Sequence, residues 1–241
     1  MISGRTFADA SRWIFDTRYS DKTFSKLLSN NGDRVFINGD MLDKFLDEKT
    51  GSYLSRNKKF IFIIHNSDLS FDRERLYRLL PHALHIYAIN TTIRHPQLTT
   101  IPIGFPDSGL KHINTIRPRL PEHRDIEVYA HFTIGTNRDA RYACWMELKD
   151  DPRVYAIVQS HISQPEFYAN LCRSKFVLCP VGTGVDTHRV YEALACGATP
   201  VVLHSTLDHL YHTLPVCIVD RWTDPFFVPT GSSRFTVNEY I

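Results

Sequence analysis

The sequence predicts an α/β fold with mostly parallel sheets, divided into two Rossmann-like lobes that face a central cleft. Three observations carry this expectation. Short apolar runs alternate with amphipathic segments along the chain. The strongest run, Lys59 to His65 (KFIFIIH), is apolar on both faces, as a central strand of a parallel sheet must be. The alternation also comes as two successive series of about 100 residues each, the size of a compact domain. With 241 residues, 43% hydrophobic and 22% charged, the chain has enough apolar material for one large core or two small ones.

Each element has its own local signal. Arg34 to Asn38 (RVFIN) reads as a strand, and Met41 to Lys49 as a short helix with Asp40 as its N-cap. Lys59 to His65 is the next strand. Asp72 to Leu80 is amphipathic and helical, ending before Pro81 because a proline disfavours helical backbone in the residue before it. His85 to Ile89 and Thr99 to Ile103 read as two short strands. Ser108 to Asp125 is polar, carries Pro118 and Pro121 and has no period, which marks a linker. The second series then runs strand Glu127 to Thr133, helix Arg138 to Lys149, strand Val154 to Val158 and helix Gln164 to Cys172. Strand Lys175 to Cys179, helix Thr187 to Cys196, strand Thr199 to Leu203 and strand Val216 to Val219 complete it. The expected organisation is a lobe over 1–115, a second over 126–225, and a tail over 226–241 with a loop at Gly231-Ser232-Ser233.

Composition excludes several function classes. The formal charge is +2, and Lys and Arg are scattered rather than gathered into a basic stripe, so no nucleic-acid partner is expected. The run Ser55-Arg56-Asn57-Lys58-Lys59 reads as a solvated loop. No stretch of 18 apolar residues is present, so no membrane span is expected. The N-terminus has no apolar signal region, and the expectation is a cytoplasmic enzyme or an excised catalytic domain. Cys144, Cys172, Cys179, Cys196 and Cys217 form no C-x-x-C pair and lie beside apolar residues, which predicts reduced, buried thiols and no zinc site.

The chemistry gathers in the segment from Ser174 to Trp222. An apolar strand enters a loop with Pro180, Gly182, Thr183 and Gly184, and a helix follows. Free N–H groups and the helix dipole favour an anion at such a helix start. Arg189 lies in the first turn, and Glu192 three residues on shares its face. A guanidinium for phosphates and a carboxylate for sugar hydroxyls, on one helix at the carboxyl end of a strand, suit a nucleotide-sugar site. The same two residues also suit a simple ion pair on an exposed helix face, and Asp186 or Thr187 suits a plain N-cap.

This block resembles the C-terminal half of the exostosin-like glycosyltransferases. The resemblance rests on Leu178-Cys179-Pro180, the Gly loop, Asp186-Thr187-His188-Arg189, Glu192-Ala193-Leu194, Gly197 with Pro200-Val201-Val202, and the later Leu214-Pro215-Val216 with Asp220-Arg221-Trp222. It covers roughly fifty residues, and Ile101-Pro102-Ile103-Gly104-Phe105 is also similar to the family. The resemblance implies a two-lobed GT-B fold and an inverting transfer from a nucleotide sugar, a UDP-sugar by preference, to a glycan acceptor. It implies no cofactor and no metal, and no D-x-D motif of the metal-binding type occurs in the chain. In the family reading, the turn of Asp186, Thr187 and His188 faces the donor sugar. Compact members of this kind occur in large DNA viruses and microbes, and xylose is one candidate sugar.

Further candidates follow from position. Gly135-Thr136-Asn137-Arg138 is a second strand-to-helix turn, where Asn137 is either an N-cap or a donor contact, and Arg138 and Arg141 are equal candidates for a pyrophosphate. The first lobe is expected to supply the general base. Asp68, in the loop His65-Asn66-Ser67-Asp68, is the first choice, His65 the second, and Asp107 a rival; Asn90 and His95 follow the next strand. Two other function classes compete: a hydrolase or epimerase acting on nucleotide sugars, which would need no acceptor, and a lectin-like glycan binder, which would need no nucleotide.

Overall fold

The computed structural model describes residues 2–17, 31–47, 54, 58–109, 112, 123–158 and 160–230. They form two compact units that part between Ile103 and Gly104, and each is built on a five-stranded parallel sheet. The α/β expectation with two Rossmann-like lobes therefore holds. Most of the proposed linker and the start of the Ser55 to Lys59 loop lie outside the described residues, as do Gly231-Ser232-Ser233 and the rest of the tail from residue 231.

The first unit opens with a short helix, α1 (Gly4–Asp9), capped by Ser3: the Ser3 hydroxyl accepts from the Thr6 amide, and the Thr6 hydroxyl accepts from the Ser3 amide. Five strands follow, β1 (Trp13–Phe15), β2 (Arg34–Asn38), β3 (Phe60–His65), β4 (Ala83–Ala88) and β5 (Leu98–Thr100), paired in sequence order. Right-handed crossovers in that order stack their helices on one face. On that face Val35, Ile37, Phe60, Phe62 and Ile64 pack against α2 (Leu42–Leu46) and α3 (Arg73–Leu79) through Leu42, Phe45, Leu76 and Leu79. Each such side chain contributes roughly 1.5–3 kcal/mol by leaving water. The opposite face carries Phe36 and His65, with the Phe7 ring of α1 5.1 Å from the imidazole.

Two boundaries differ from the sequence reading. The segment after β2 is a 3-10 turn over Gly39–Met41 before α2, so Asp40 is not a helix cap; Asn38 caps the turn, its side-chain oxygen taking the Asp40 amide at 2.9 Å. The helix expected over Asp72 to Leu80 is α3, Arg73–Leu79, with Asp72 as its N-cap, and the chain continues through Pro81 as a 3-10 turn over Leu80–His82.

The second unit is doubly wound. Its elements are β6 (Ile126–Ala130), α4 (Arg138–Leu148), β7 (Val154–Ala156), α5 (Gln164–Arg173), β8 (Ser174–Leu178), α6 (His188–Ala195), β9 (Thr199–Leu203), α7 (Asp208–Tyr211) and β10 (Cys217–Val219). The strand order is β10-β9-β8-β6-β7. The chain leaves β6 toward β7 on one side and returns to β8 on the other, so the order reverses between β6 and β8, where this fold class opens a crevice. Val128 and Ala130 pack with Cys144 and Leu148 of α4, while α5 and α6 cover the other face.

Helix α6 ends as expected at Gly197. That glycine has φ 72°, and the amides of Gly197 and Ala198 return to the carbonyls of Leu194 and Ala193, a Schellman closure that a side chain would strain. Arg124 ties the two helix ends together, donating to the carbonyls of Cys172 (2.7 Å), Ser174 (2.8 Å) and Cys196 (2.9 Å). A cation at two helix C-termini meets both orphan carbonyls and the negative dipole ends. All five cysteines are buried and free.

Candidate active site

The carboxyl ends of β6 and β8 diverge at the point where the strand order reverses. A cavity of about 160 Å³ opens there, with His131, Thr133, Arg141 and Arg189 as its polar walls and Cys179 and Pro180 among the rest. His131 to Thr133 leave the sheet after β6, which ends at Ala130 and not at Thr133. Ala130 pairs with Ala156, and beyond it the chain turns away into the cavity wall.

Arg189 is fixed on three sides. Its Nε donates to Glu192 at 3.3 Å, its Nη1 donates to the His131 carbonyl, and its guanidinium lies 4.5 Å from the centre of the Phe167 ring. Glu192 is buried, and Tyr168 of α5 donates to its other oxygen at 2.9 Å. Burial, with the Glu192 carboxylate beside it, pushes the Tyr168 phenol well up, so it stays a donor. Arg189 and Glu192 thus form the ion pair, and the Arg189 cation also lines the cavity.

Arg141 enters from α4. Its Nε donates to the Val181 carbonyl at 3.1 Å and its Nη1 to the Thr133 carbonyl at 2.9 Å. Burial holds its pKa below the usual guanidinium range, and the nearby Arg189 charge pushes the same way. Two half-buried cations therefore face one small cavity and repel each other, an arrangement an anion would relieve. Arg138, by contrast, is exposed.

The glycine loop serves that wall. A Cβ at Gly182 would sit 3.1 Å from Arg141 Nη2, so a side chain there would press on the guanidinium where it crosses the loop. Asn137 caps α4 by accepting from the Ala140 amide at 3.4 Å, and its amide donates to the Gly182 carbonyl at 2.8 Å. It is at once an N-cap and a staple for the loop. Thr183 is exposed and Gly184 buried, and the Gly182 amide closes the turn on the Gly184 carbonyl.

The start of α6 departs from the family reading. Asp186 faces the interior, its two oxygens accepting from Tyr191 at 2.7 Å and Tyr211 at 2.8 Å. Thr187 is the N-cap without a side-chain bond, and its buried hydroxyl has no partner among the described residues. His188 is exposed, and its Nδ1 bonds the Gly104 carbonyl at 2.7 Å.

The carboxylate candidates fall in different units. In the first, the buried His65 accepts from the Asn66 amide at Nδ1 (2.8 Å) and bonds the Pro102 carbonyl through Nε2 (3.1 Å), which occupies both ring nitrogens. Asp68 is exposed in the turn after β3. Asn66 and Asn90, at φ 59° and 50°, close the ends of β3 and β4; Asn90 is buried and bonds the Ser67 carbonyl at 3.3 Å. His95 caps a turn by accepting from the Gln97 amide. In the second unit, Asp107 is exposed on a 3-10 turn, Asp107–Gly109. That turn lies against Tyr168: a Cβ at Gly109 would fall 2.1 Å from the Tyr168 hydroxyl, and the Phe105 ring stacks on the Tyr168 ring at 6.0 Å. The turn that carries Asp107 thus packs on Tyr168 through Gly109, while the Asp107 side chain is exposed. Sequence reasoning missed His131, Tyr168 and Phe167, all of which build the site.

Among the described residues no group of three or more His, Cys, Asp or Glu side chains is placed to hold a metal ion, and no helix is long and apolar enough to cross a membrane. Residues 131–226 match a family model described as the RXYLT1 C-terminal domain. The chain is also similar to the probable beta-1,4-xylosyltransferase IRX10L of Arabidopsis thaliana, 24% identical over 144 residues, which covers 55% of this chain and 31% of that protein. The chain spans less than a third of the length of that curated relative. The family match starts at His131 and contains every polar wall of the cavity, whereas Asp68, His65 and Asp107 lie before it.

Proposed function

We propose that the chain is an exostosin-like glycosyltransferase that moves a sugar, xylose, from a UDP-linked donor to a hydroxyl of an oligosaccharide or glycoprotein glycan. One observation carries the donor site: two half-buried guanidinium groups, Arg141 and Arg189, line one cavity at the reversal of strand order. The donor diphosphate fits between them. Charge develops on its leaving oxygen as the glycosidic bond breaks, and fixed cations there stabilise that charge without a metal. Glu192 holds Arg189 in place rather than offering itself freely to a ribose. The choice of xylose is supported by the similarity to the plant protein, a probable beta-1,4-xylosyltransferase.

Transfer is a single displacement with inversion. The acceptor oxygen forms its bond to the anomeric carbon as the bond to the diphosphate oxygen breaks; the electron pair leaves with the diphosphate, and the acceptor proton passes to a carboxylate. Asp107 is the preferred carboxylate, because its turn packs against the residue that positions Arg189 through Glu192. Asp68 is the rival.

A thermal-shift panel of UDP, GDP, UDP-xylose, UDP-glucose, UDP-glucuronate and GDP-sugars, with and without EDTA, tests the reading, since a ligand that binds only the folded state raises the melting temperature. UDP compounds should raise it with EDTA present, UDP-xylose the most. A well-folded protein that no nucleotide stabilises would contradict the donor site and leave a glycan-binding protein. Turnover of UDP-xylose that no acceptor accelerates would leave a hydrolase.

A further inference from the structure

Helices α5 and α6 touch, and they run in the same direction because each leads into a strand of one parallel sheet. Tyr168 of α5 meets Glu192 of α6 at 2.9 Å. One helical turn further on, each chain segment carries a cysteine, Cys172 and Cys196. Residues four apart share a helix face, so two parallel helices that meet at Tyr168 and Glu192 meet again at these cysteines. The two thiols are hydrogen-bond partners, and both are buried, Cys172 3% exposed and Cys196 0%. One guanidinium clamps the pair from the main-chain side. The two Nη atoms of Arg124 donate to the Cys172 carbonyl at 2.7 Å and to the Cys196 carbonyl at 2.9 Å.

Nothing in the transfer reaction uses this pair. Two thiols held in contact have a characteristic reaction, oxidation to a disulfide. The other three cysteines are unlike them. Burial pushes the thiols of Cys144, Cys179 and Cys217 up, that of Cys179 to about 12, and keeps them protonated. Cys172 goes the other way: its bond with Cys196 lowers its pKa, burial opposes, and the Arg124 charge adds to the lowering. Cys196 is raised, first by the bond with Cys172 and then by burial. The pair therefore divides into an attacking thiolate, Cys172, and a resolving thiol, Cys196.

We propose that Cys172 and Cys196 are a redox pair, which a peroxide oxidises to a disulfide that clips α5 to α6. With hydrogen peroxide the atoms balance. The Cys172 thiolate attacks one peroxide oxygen, the O–O bond breaks, and the departing hydroxide takes the proton that the thiol gave up and leaves as water. The Cys196 sulfur then attacks the Cys172 sulfenic acid. The S–O bond breaks, and the hydroxyl leaves with the Cys196 proton as a second water. The two sulfurs lose two electrons and one peroxide becomes two waters. Cys172 stands in the last turn of α5, and helix ends fray enough to admit so small an oxidant. The bond forms one turn beyond the Tyr168 and Glu192 contact, so it fastens together the two helices that seat Arg189, α6 through Glu192 and α5 through Phe167.

Hydrogen peroxide added to the reduced protein at neutral pH, followed by thiol counting after denaturation, tests the pairing. Free thiols should fall from five to three and return to five with dithiothreitol. Peptide mapping without reductant, with fragment-ion sequencing, should find Cys172 joined to Cys196 and two hydrogens lost. A melting curve should rise by roughly 5–10 °C on oxidation, the gain of one closed loop in a chain of this size. Neither Cys172→Ser nor Cys196→Ser should show that rise. A count that stays at five, a bond between any other two cysteines, or Cys172 oxidised to sulfinic acid with Cys196 untouched overturns the proposal. A Cys172–Cys196 bond with no rise in Tm overturns the clip. Should either variant not fold, the wild-type map and melting curve decide alone.

Discussion

Removing the Arg189 guanidinium separates its two roles. In Arg189→Ala the proposed donor site loses a charge-assisted contact. At roughly 1.5–3 kcal/mol for a bond to a charged group, a loss of about 3 kcal/mol is expected, which is about 150-fold in Kd. Folding stability suffers less. The Arg189 and Glu192 side chains keep 21% and 10% of their exposure, so the pair is only partly desolvated. Glu192 also retains the Tyr168 hydroxyl on one oxygen. A fully buried pair that loses one partner costs about 3–5 kcal/mol, and this pair should cost roughly 2 kcal/mol, or about 4–8 °C in Tm for a chain of this size. Calorimetry with UDP-xylose gives the first quantity and a melting curve the second. A folded Arg189→Ala protein that binds UDP-xylose within twofold of wild type would refute the donor assignment, whatever its Tm.

Other variants probe the supports. Tyr168→Phe leaves a Glu192 oxygen without its donor, which should cost about 1–3 kcal/mol of stability and weaken UDP-xylose binding several-fold by loosening Arg189; unchanged binding would show that Arg189 needs no such anchor. Arg124→Met removes three bonds to helix-end carbonyls and should lower stability by roughly 2–4 kcal/mol while a folded protein still binds UDP-xylose. A melting curve within the error of wild type would contradict that role. Asp107→Asn should abolish transfer with donor affinity intact, and Asp68→Asn should keep most of it; the reverse result moves the base to Asp68.

Much of the fold is legible because its strands are nearly continuous apolar runs. Phe62 to His65 and Thr199 to Val202 are buried from both sides, and helix α6 is announced by the glycines that flank it. The failures have local causes. β1 is three residues long and α1 six, too short for a period to build up. The end of β6 was hidden because Phe132 is apolar and buried like a strand residue, yet the ladder stops at Ala130, where pairing and not hydrophobicity sets the boundary. That error concealed His131 inside an expected strand.

The site was legible where spacing is local. Arg189 and Glu192 are three residues apart and meet as the helix period requires. Asp186 was not, because its carboxylate is claimed by Tyr191 one turn on and by Tyr211 from another helix. Arg141 crossing Gly182, and Tyr168 reaching Glu192, are long-range contacts with no signature in either segment alone.

The central claim is that the cavity between β6 and β8 is a diphosphate site. Calorimetry comparing UDP with uridine, both in EDTA, tests it most directly. The two-arginine cavity predicts that UDP binds at least about 100-fold more tightly than uridine, and that Arg141→Ala removes most of that difference. Equal affinity for UDP and uridine, or a difference that survives Arg141→Ala and Arg189→Ala alike, would contradict it.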